Sequence, residues 1–206
     1  MKLVILFMIF VPLFIHAEEK VNLKNYTEPH TGLIFPQQIE SYTQNAVTEY
    51  PDKKDGVAIT YNGYGYAQFF VYDAGFEKIS TGITSDAFKE AFQTSVLGLE
   101  NVLSSGEYSN GEALMSSTPN IKMENKEANL AVVVFTSTFK PEAGDTVPVT
   151  SWILMTGYKN KFLKLLFTHK GDDFKKSQEE IKVIIGGLLS ANPEGIGDFF
   201  VEQNAP

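Results

Sequence analysis

The stretch GVAITYNGYGYAQFFVYDAG, Gly56 to Gly75, decides the reading of the fold. Val57, Ile59 and Tyr61 fall on one side of an alternating run. Ala67, Phe69 and Val71 fall on one side of the next, with Tyr66, Phe70 and Tyr72 on the other. Strict alternation is the period of a strand. Asn62, Gly63 and Gly65 lie between the runs and tolerate positive φ, so the two runs read as a hairpin. The second run is apolar or aromatic on both sides, so the sheet it joins needs cover on both faces.

Downstream the period changes. In TSDAFKEAFQTSVLGLENVLSSG, Phe88, Phe92, Ser95, Val96, Leu99, Val102 and Leu103 form one stripe at helical spacing. Thr84, Ser85 or Asp86 can cap this helix, and Gly106 lies just past its end, giving a helix over roughly 85–104. Residues 129–139, 149–158 and 161–170 alternate again and read as three strands, joined by an acidic loop at KPEAGDTVP and a tight turn at YKNK. Shorter strands are expected at 32–36, 41–49 and 112–118. A second helix, roughly 173–190, carries Phe174, Ile181, Ile184, Ile185 and Leu188 on one side, with Asp172 or Asp173 as its cap. Hairpin and helix thus occur twice in series, as if each half of the chain added one such unit to a common sheet. The fold class expected is α+β: a mainly antiparallel sheet with two amphipathic helices packed on it.

The start of the chain has a different character. Lys2 precedes thirteen apolar residues, Leu3 to Ile15, and Ala17 precedes Glu18 and Glu19. This is the pattern of a secretory signal peptide cleaved after Ala17. The apolar run is shorter than the roughly 20 residues that span a bilayer. The expected organisation is a signal peptide at 1–17, one domain at 18–192, and a tail at 193–206 that begins after the helix stop Asn192-Pro193. The expected location is periplasmic or secreted, with no transmembrane segment once the signal is removed. The chain has no cysteine, hence no disulfide framework and no lipoprotein attachment site. Its formal charge is −8, and it has no arginine. Losing Lys2 with the signal would take the charge to −9. Both features argue against nucleic acid and anionic membrane surfaces as partners.

Candidate chemistry is sparse. The histidines are His16, His30 and His169, and there is no G-x-S-x-G and no H-E-x-x-H. Asp73 at one strand end and His169 at another are the candidates for a small hydrolase with an unfamiliar site. Their ordinary roles are turn chemistry and a structural strand-end histidine. Ligand spacing gives no metal site; Asp172 and Asp173 read better as helix caps than as calcium ligands, and no cofactor is expected. The aromatic residues are the best binding candidates. Tyr64 and Tyr66 lie at the first hairpin, and Trp152, Tyr158 and Lys161 lie at the later one. Tyrosine and tryptophan offer rigid area with a polar handle, but they also simply suit strands. The reading that follows is a non-enzymatic binding or assembly module whose partner is another envelope protein or a small ligand. A carrier of small molecules or lipids, with a pocket between sheet and helices, is the other alternative.

The pieces LIFPQQIESY, GVAITYN, AQFFVYDAG, ISTGI and TGYKNKFLKLLFTHKG together resemble a family of uncharacterised exported bacterial proteins across most of residues 32–190. Tyr158 stands where that family commonly has tryptophan, and Lys159 and Lys164 stand where it commonly has arginine. More remotely, the layout is similar to the PsbP-like sandwich, DcrB-like envelope proteins included. The resemblance implies a binding or assembly role and carries no assigned activity.

Overall fold

The computed structural model describes residues 24–104, 106–117, 120–123, 126–141, 144–193 and 200–202. The signal peptide expected at 1–17 lies outside the described residues. The strands are β1 (Tyr26–Thr27), β2 (Ile34–Phe35), β3 (Gln38–Ile39), β4 (Tyr42–Glu49), β5 (Val57–Asn62), β6 (Gly65–Tyr72), β7 (Tyr108–Ser117), β8 (Asn120–Met123), β9 (Lys126–Asn129), β10 (Ala131–Phe139), β11 (Val147–Tyr158), β12 (Lys161–Lys170) and β13 (Phe200–Glu202). The helices are α1 (Asp86–Leu103) and α2 (Phe174–Ala191).

Eight strands form one antiparallel sheet in the order β3-β4-β5-β6-β12-β11-β10-β7. The fold is therefore α+β with a mainly antiparallel sheet. The two hairpins foreseen from the sequence, β5–β6 and β11–β12, are both present and meet at the β6–β12 pair. The chain meanders from β3 to β6 and crosses by way of α1 to the far edge at β7. It then returns through β10 and β11, so that β12 closes against β6.

The helices lie on opposite faces. Ile181, Ile184 and Leu188 of α2 pack with Tyr61, Ala67, Phe69, Phe167, Trp152 and Val134, which share one face by register. Phe88 and Ala91 of α1 pack with Phe162, Met155 and Ala131 on the other, and Leu103 packs there with Val133, Phe135 and Ile153. Both faces of the central strands are buried this way, as their two-sided apolar pattern requires. The serial hairpin–helix units therefore share a sheet but not a face. Ser85 caps α1, its hydroxyl accepting from Phe88 N at 3.2 Å, and Asp173 caps α2, accepting from Lys176 N at 2.9 Å.

Positive φ, expected at the β5–β6 turn, occurs at the β11–β12 turn instead. In the β11–β12 turn, Lys159 and Asn160 both take positive φ, 45° and 62°. In the β5–β6 turn none of Asn62, Gly63, Tyr64 and Gly65 does. Its glycines are required for space instead. A Cβ on Gly63 would lie 2.6 Å from the Tyr42 ring, and one on Gly65 would lie 2.7 Å from the Thr168 carbonyl oxygen.

Two smaller sheets complete the described structure, β1-β2 and β13-β9-β8. The tail expected at 193–206 thus contributes a strand, since Phe200–Glu202 pairs antiparallel with Lys126–Ala128. Residues 194–199 and 203–206, Phe199 included, lie outside the described residues.

Candidate functional site

The crossing connection decides which part of the sheet is left open. On its way to β7, helix α1 packs over β10, β11 and β7. Among the described residues the apolar clusters under α1 include no residue of β4 or β5, and of β6 they include only Tyr72. Strand β12 sits at the boundary. Its Leu163, Leu165, Phe167 and His169 are buried toward α2, whereas Lys164, Leu166 and Thr168 on the opposite face are half-buried. Tyr66, Phe70 and Tyr72 of β6 share that face and are half-buried too. Half-buried Tyr50 follows β4, with Tyr66 close enough to act on its titration. Burial, and then the neighbouring Tyr66 and Asp55, push the Tyr50 phenol above its ordinary value. Burial also raises Tyr66, and pushes Tyr72 up to about 12. These phenols stay neutral in the physiological range and offer apolar area with a hydroxyl tip.

Lys164 lies within this aromatic group. Its Nζ is 4.5 Å from the Phe70 ring centroid and 5.3 Å from that of Tyr72. No hydrogen bond or ion pair reaches Nζ among the described residues. The residue keeps some contact with solvent, yet burial pushes its ammonium down from 10.5 to about 8. Desolvation is the whole cause; no carboxylate offsets it. Lys161 is the other half-buried lysine of the described chain, and it is paired, 2.7 Å from Asp73 Oδ2. Diagonal to Lys164, Gln68 is buried, and its amide donates to Thr60 Oγ1 at 3.1 Å. The Gln68 carbonyl oxygen, Oε1, has no donor.

The structure separates the aromatic residues that the sequence grouped together. Tyr64 stands at the tip of the β5–β6 hairpin and is 70% exposed, and Tyr66 borders the open face. Trp152 is core: it stacks on Phe174 at 5.0 Å, and its indole N–H donates to Ser177 Oγ at 3.1 Å. Tyr158 is core as well, 1% exposed. Both point to the α2 face, opposite Tyr66, so no surface combines Tyr66 with Trp152 and Tyr158. The reason is α2 itself, whose apolar side lies over the face that both residues occupy. Lys161 is held by Asp73 at the β12 end remote from Tyr64.

Asp73 and His169, the hydrolase candidates, do not share a site. Asp73 follows β6 where Tyr72 pairs with Phe162, and His169 pairs with Gly65 at the other end of that strand. Eight residue steps at about 3.3 Å each put them about 26 Å apart. Each has its own structural partners. Asp73 accepts from Gly75 N at 2.8 Å and from Lys161. His169 presents Nδ1 to Glu180 Oε2 at 2.9 Å, and Tyr42 donates its hydroxyl to the same oxygen at 3.0 Å. This buried group ties α2 to β4 and β12. Burial, and then the Glu180 charge, hold the Tyr42 phenol well above its ordinary value. At the far end of α2, Asn192 exchanges hydrogen bonds with both backbone groups of Ile34, at 2.7 and 2.8 Å.

Among the described residues there is no group of three or more histidine, cysteine, aspartate or glutamate side chains able to hold a metal ion. Asp173 is engaged as the α2 cap. No described helix is long and apolar enough to cross a membrane.

The open face was only partly legible beforehand. Phe70 and Tyr72 were expected opposite Ala67, Phe69 and Val71, but Tyr50, Gln68 and the isolation of Lys164 were not foreseen. One signal was present: in KFLKLLFT, Lys164 interrupts a strand that is otherwise apolar on both faces. No protein-family model matches the chain, and no curated protein matches it.

Proposed function

We propose that the protein is a non-enzymatic binding module of the bacterial cell envelope, exported by its N-terminal segment, that engages its partner through the open face of the β5–β6 hairpin. The observation that carries this reading is the group of half-buried Tyr50, Tyr66 and Phe70, outside the apolar clusters under either helix, with exposed Tyr64 at the tip of the same hairpin. Aromatic side chains set on a rigid strand lose little conformational freedom on binding, and they are the residues most often found as binding anchors. The separation of Asp73 from His169 leaves the hydrolase alternative without a composite site. Export, periplasmic or secreted location, and a PsbP-like sandwich are parts of the same proposal, motivated by the sequence of residues 1–17 and by the texture of the strands.

The test places a photocrosslinking amino acid at position 64 of the full chain in its native cells, and at exposed Val183 of α2 as control. The expected result is a discrete adduct from position 64 that weakens in a Tyr66→Ala background and is absent from position 183. Equal labelling from both positions, or none from position 64, would overturn the proposal.

A further inference from the structure

Resting on the open face as a binding surface, the geometry points to a ligand class: Lys164 anchors a small amphiphilic monocarboxylate, a fatty-acid-like anion whose acid group pairs with Nζ and whose apolar body lies along Phe70 and Tyr66. Charge complementarity carries the argument. An ammonium has three N–H donors, and none from Lys164 is used among the described residues. The two rings at 4.5 and 5.3 Å hold the cation by their faces but accept no strong hydrogen bond. An unpaired charge in such surroundings is costly, and an arriving anion removes the cost. Gln68 supplies a second and independent sign. Its Oε1 is buried without a donor on the same face, two residue pairs along from Lys164. Such an orphaned acceptor suits a water carried in with the ligand.

The number and kind of groups select the ligand. One lysine and no arginine match a monoanion; a phosphate dianion requires more donors and more positive charge than this face provides. Tyr72, Leu166 and Met155 beside Lys164 pack under α1, and half-buried Phe70 is the ring left at the open side; an apolar setting of this kind favours hydrocarbon over a hydrated polyanion. The overall charge of −8 repels polyanions generally.

The test uses the fluorescent probe 11-(dansylamino)undecanoate with the full chain. The expected result is saturable binding that dodecanoate competes and dodecanol does not. Lys164→Met should weaken probe binding at least tenfold, Lys164→Arg should retain it, and both variants should keep the wild-type circular dichroism spectrum. Phe70→Ala should weaken probe binding as well. Competition by dodecanol as strong as by dodecanoate, or unchanged binding in Lys164→Met, would show an apolar surface with no role for the charge and would overturn the assignment. The competition arm uses wild-type protein only, so it decides the matter even where a variant fails to fold. Crosslinking from position 64 with no probe binding would sink this ligand class and leave the binding-module proposal standing. Probe binding without crosslinking would leave the ligand class standing and remove a macromolecular partner at Tyr64.

Discussion

Replacing Lys164 with methionine should make the protein more stable. The side chain keeps its length and apolar stem while losing a charge that nothing among the described residues neutralises. Lowering the ammonium from 10.5 to about 8 corresponds to about 3 kcal/mol, at about 1.36 kcal/mol for each tenfold change in proton affinity. Two corrections reduce it. The residue keeps some contact with solvent, which screens part of the penalty. The Phe70 and Tyr72 rings each return about 0.5–1 kcal/mol through cation–π attraction, which methionine forgoes. The expected net gain for Lys164→Met at about pH 7 is therefore about 1–2 kcal/mol. The pH dependence follows from the direction of the shift. The unfolded chain holds the Lys164 proton up to about 10.5, while the folded chain releases it at about 8. Between those values the unfolded state binds more protons, so wild-type stability rises with pH. Below about 8 both states are charged and the penalty is complete and constant. Buried Tyr42 and Tyr61 and half-buried Tyr72 act in the opposite sense above about pH 10, because their phenols ionise first in the unfolded chain. The useful window is therefore about pH 7 to 9.5, and the difference between wild type and variant cancels the other groups. Urea unfolding followed by fluorescence reports it cleanly, since Trp152 is the single tryptophan and is buried. The advantage of the variant should be largest near pH 7 and shrink toward pH 9.5. A variant less stable than wild type near pH 7, or a difference that does not change with pH, would refute the desolvation argument.

Other substitutions separate surface from core. Tyr64→Ala should change stability by no more than about 0.5 kcal/mol in the same urea assay, because the side chain is 70% exposed. Trp152→Ala should cost about 3–5 kcal/mol, from the lost stacking on Phe174 and the space left beneath α2; thermal unfolding by circular dichroism measures it. Gly63→Ala should destabilise, because the new Cβ would lie 2.6 Å from the Tyr42 ring, and Asn160→Ala should destabilise by a different route, through positive φ and the loss of the hydrogen bonds to Ile79 N and the Glu77 carbonyl; melting curves measure both. Glu180→Leu should cost about 1–3 kcal/mol by leaving Tyr42 and His169 without their shared acceptor, and amide exchange along α2 should accelerate with it.

The elements of this fold were legible because their periods are clean. The stripe from Phe88 to Leu103 and the stripe from Phe174 to Leu188 have no competing alternation, and Ser85 and Asp173 mark their starts with the expected side-chain chemistry. The strands that escaped notice, β1, β3, β8, β9 and β13, are two to four residues long, too short to show a period, and a segment such as KEAN has no apolar alternation to reveal it. Tertiary placement was harder to read. Trp152 and Tyr64 have the same local appearance, an aromatic residue near a hairpin, and only the position of α2 makes one core and the other surface. Strand alternation assigns residues to two faces but cannot say which face a helix will cover.

That choice of face is also what creates the open surface. Because β12 pairs with β6, the chain leaving β6 has to reach the far edge at β7 before it can return to the centre, and α1 is the segment that makes the crossing. Its apolar side is spent on β10 and β11, where both faces of the sheet are consequently buried. The α1 face of β6 and its boundary with β12 lie behind the start of the crossing, and there the side chains change from aliphatic to Tyr66, Gln68, Phe70 and Lys164. A face evolving only toward burial would carry valine and isoleucine, as Val133 and Ile153 illustrate at the other end of the same surface. Aromatic rings with polar tips, one unneutralised ammonium and one unpaired amide oxygen are instead the composition of a surface that is partly wet and meets something else. The Lys164→Met variant tests this point twice over: a gain in stability together with a loss of carboxylate binding would show a residue kept for recognition at the expense of the fold.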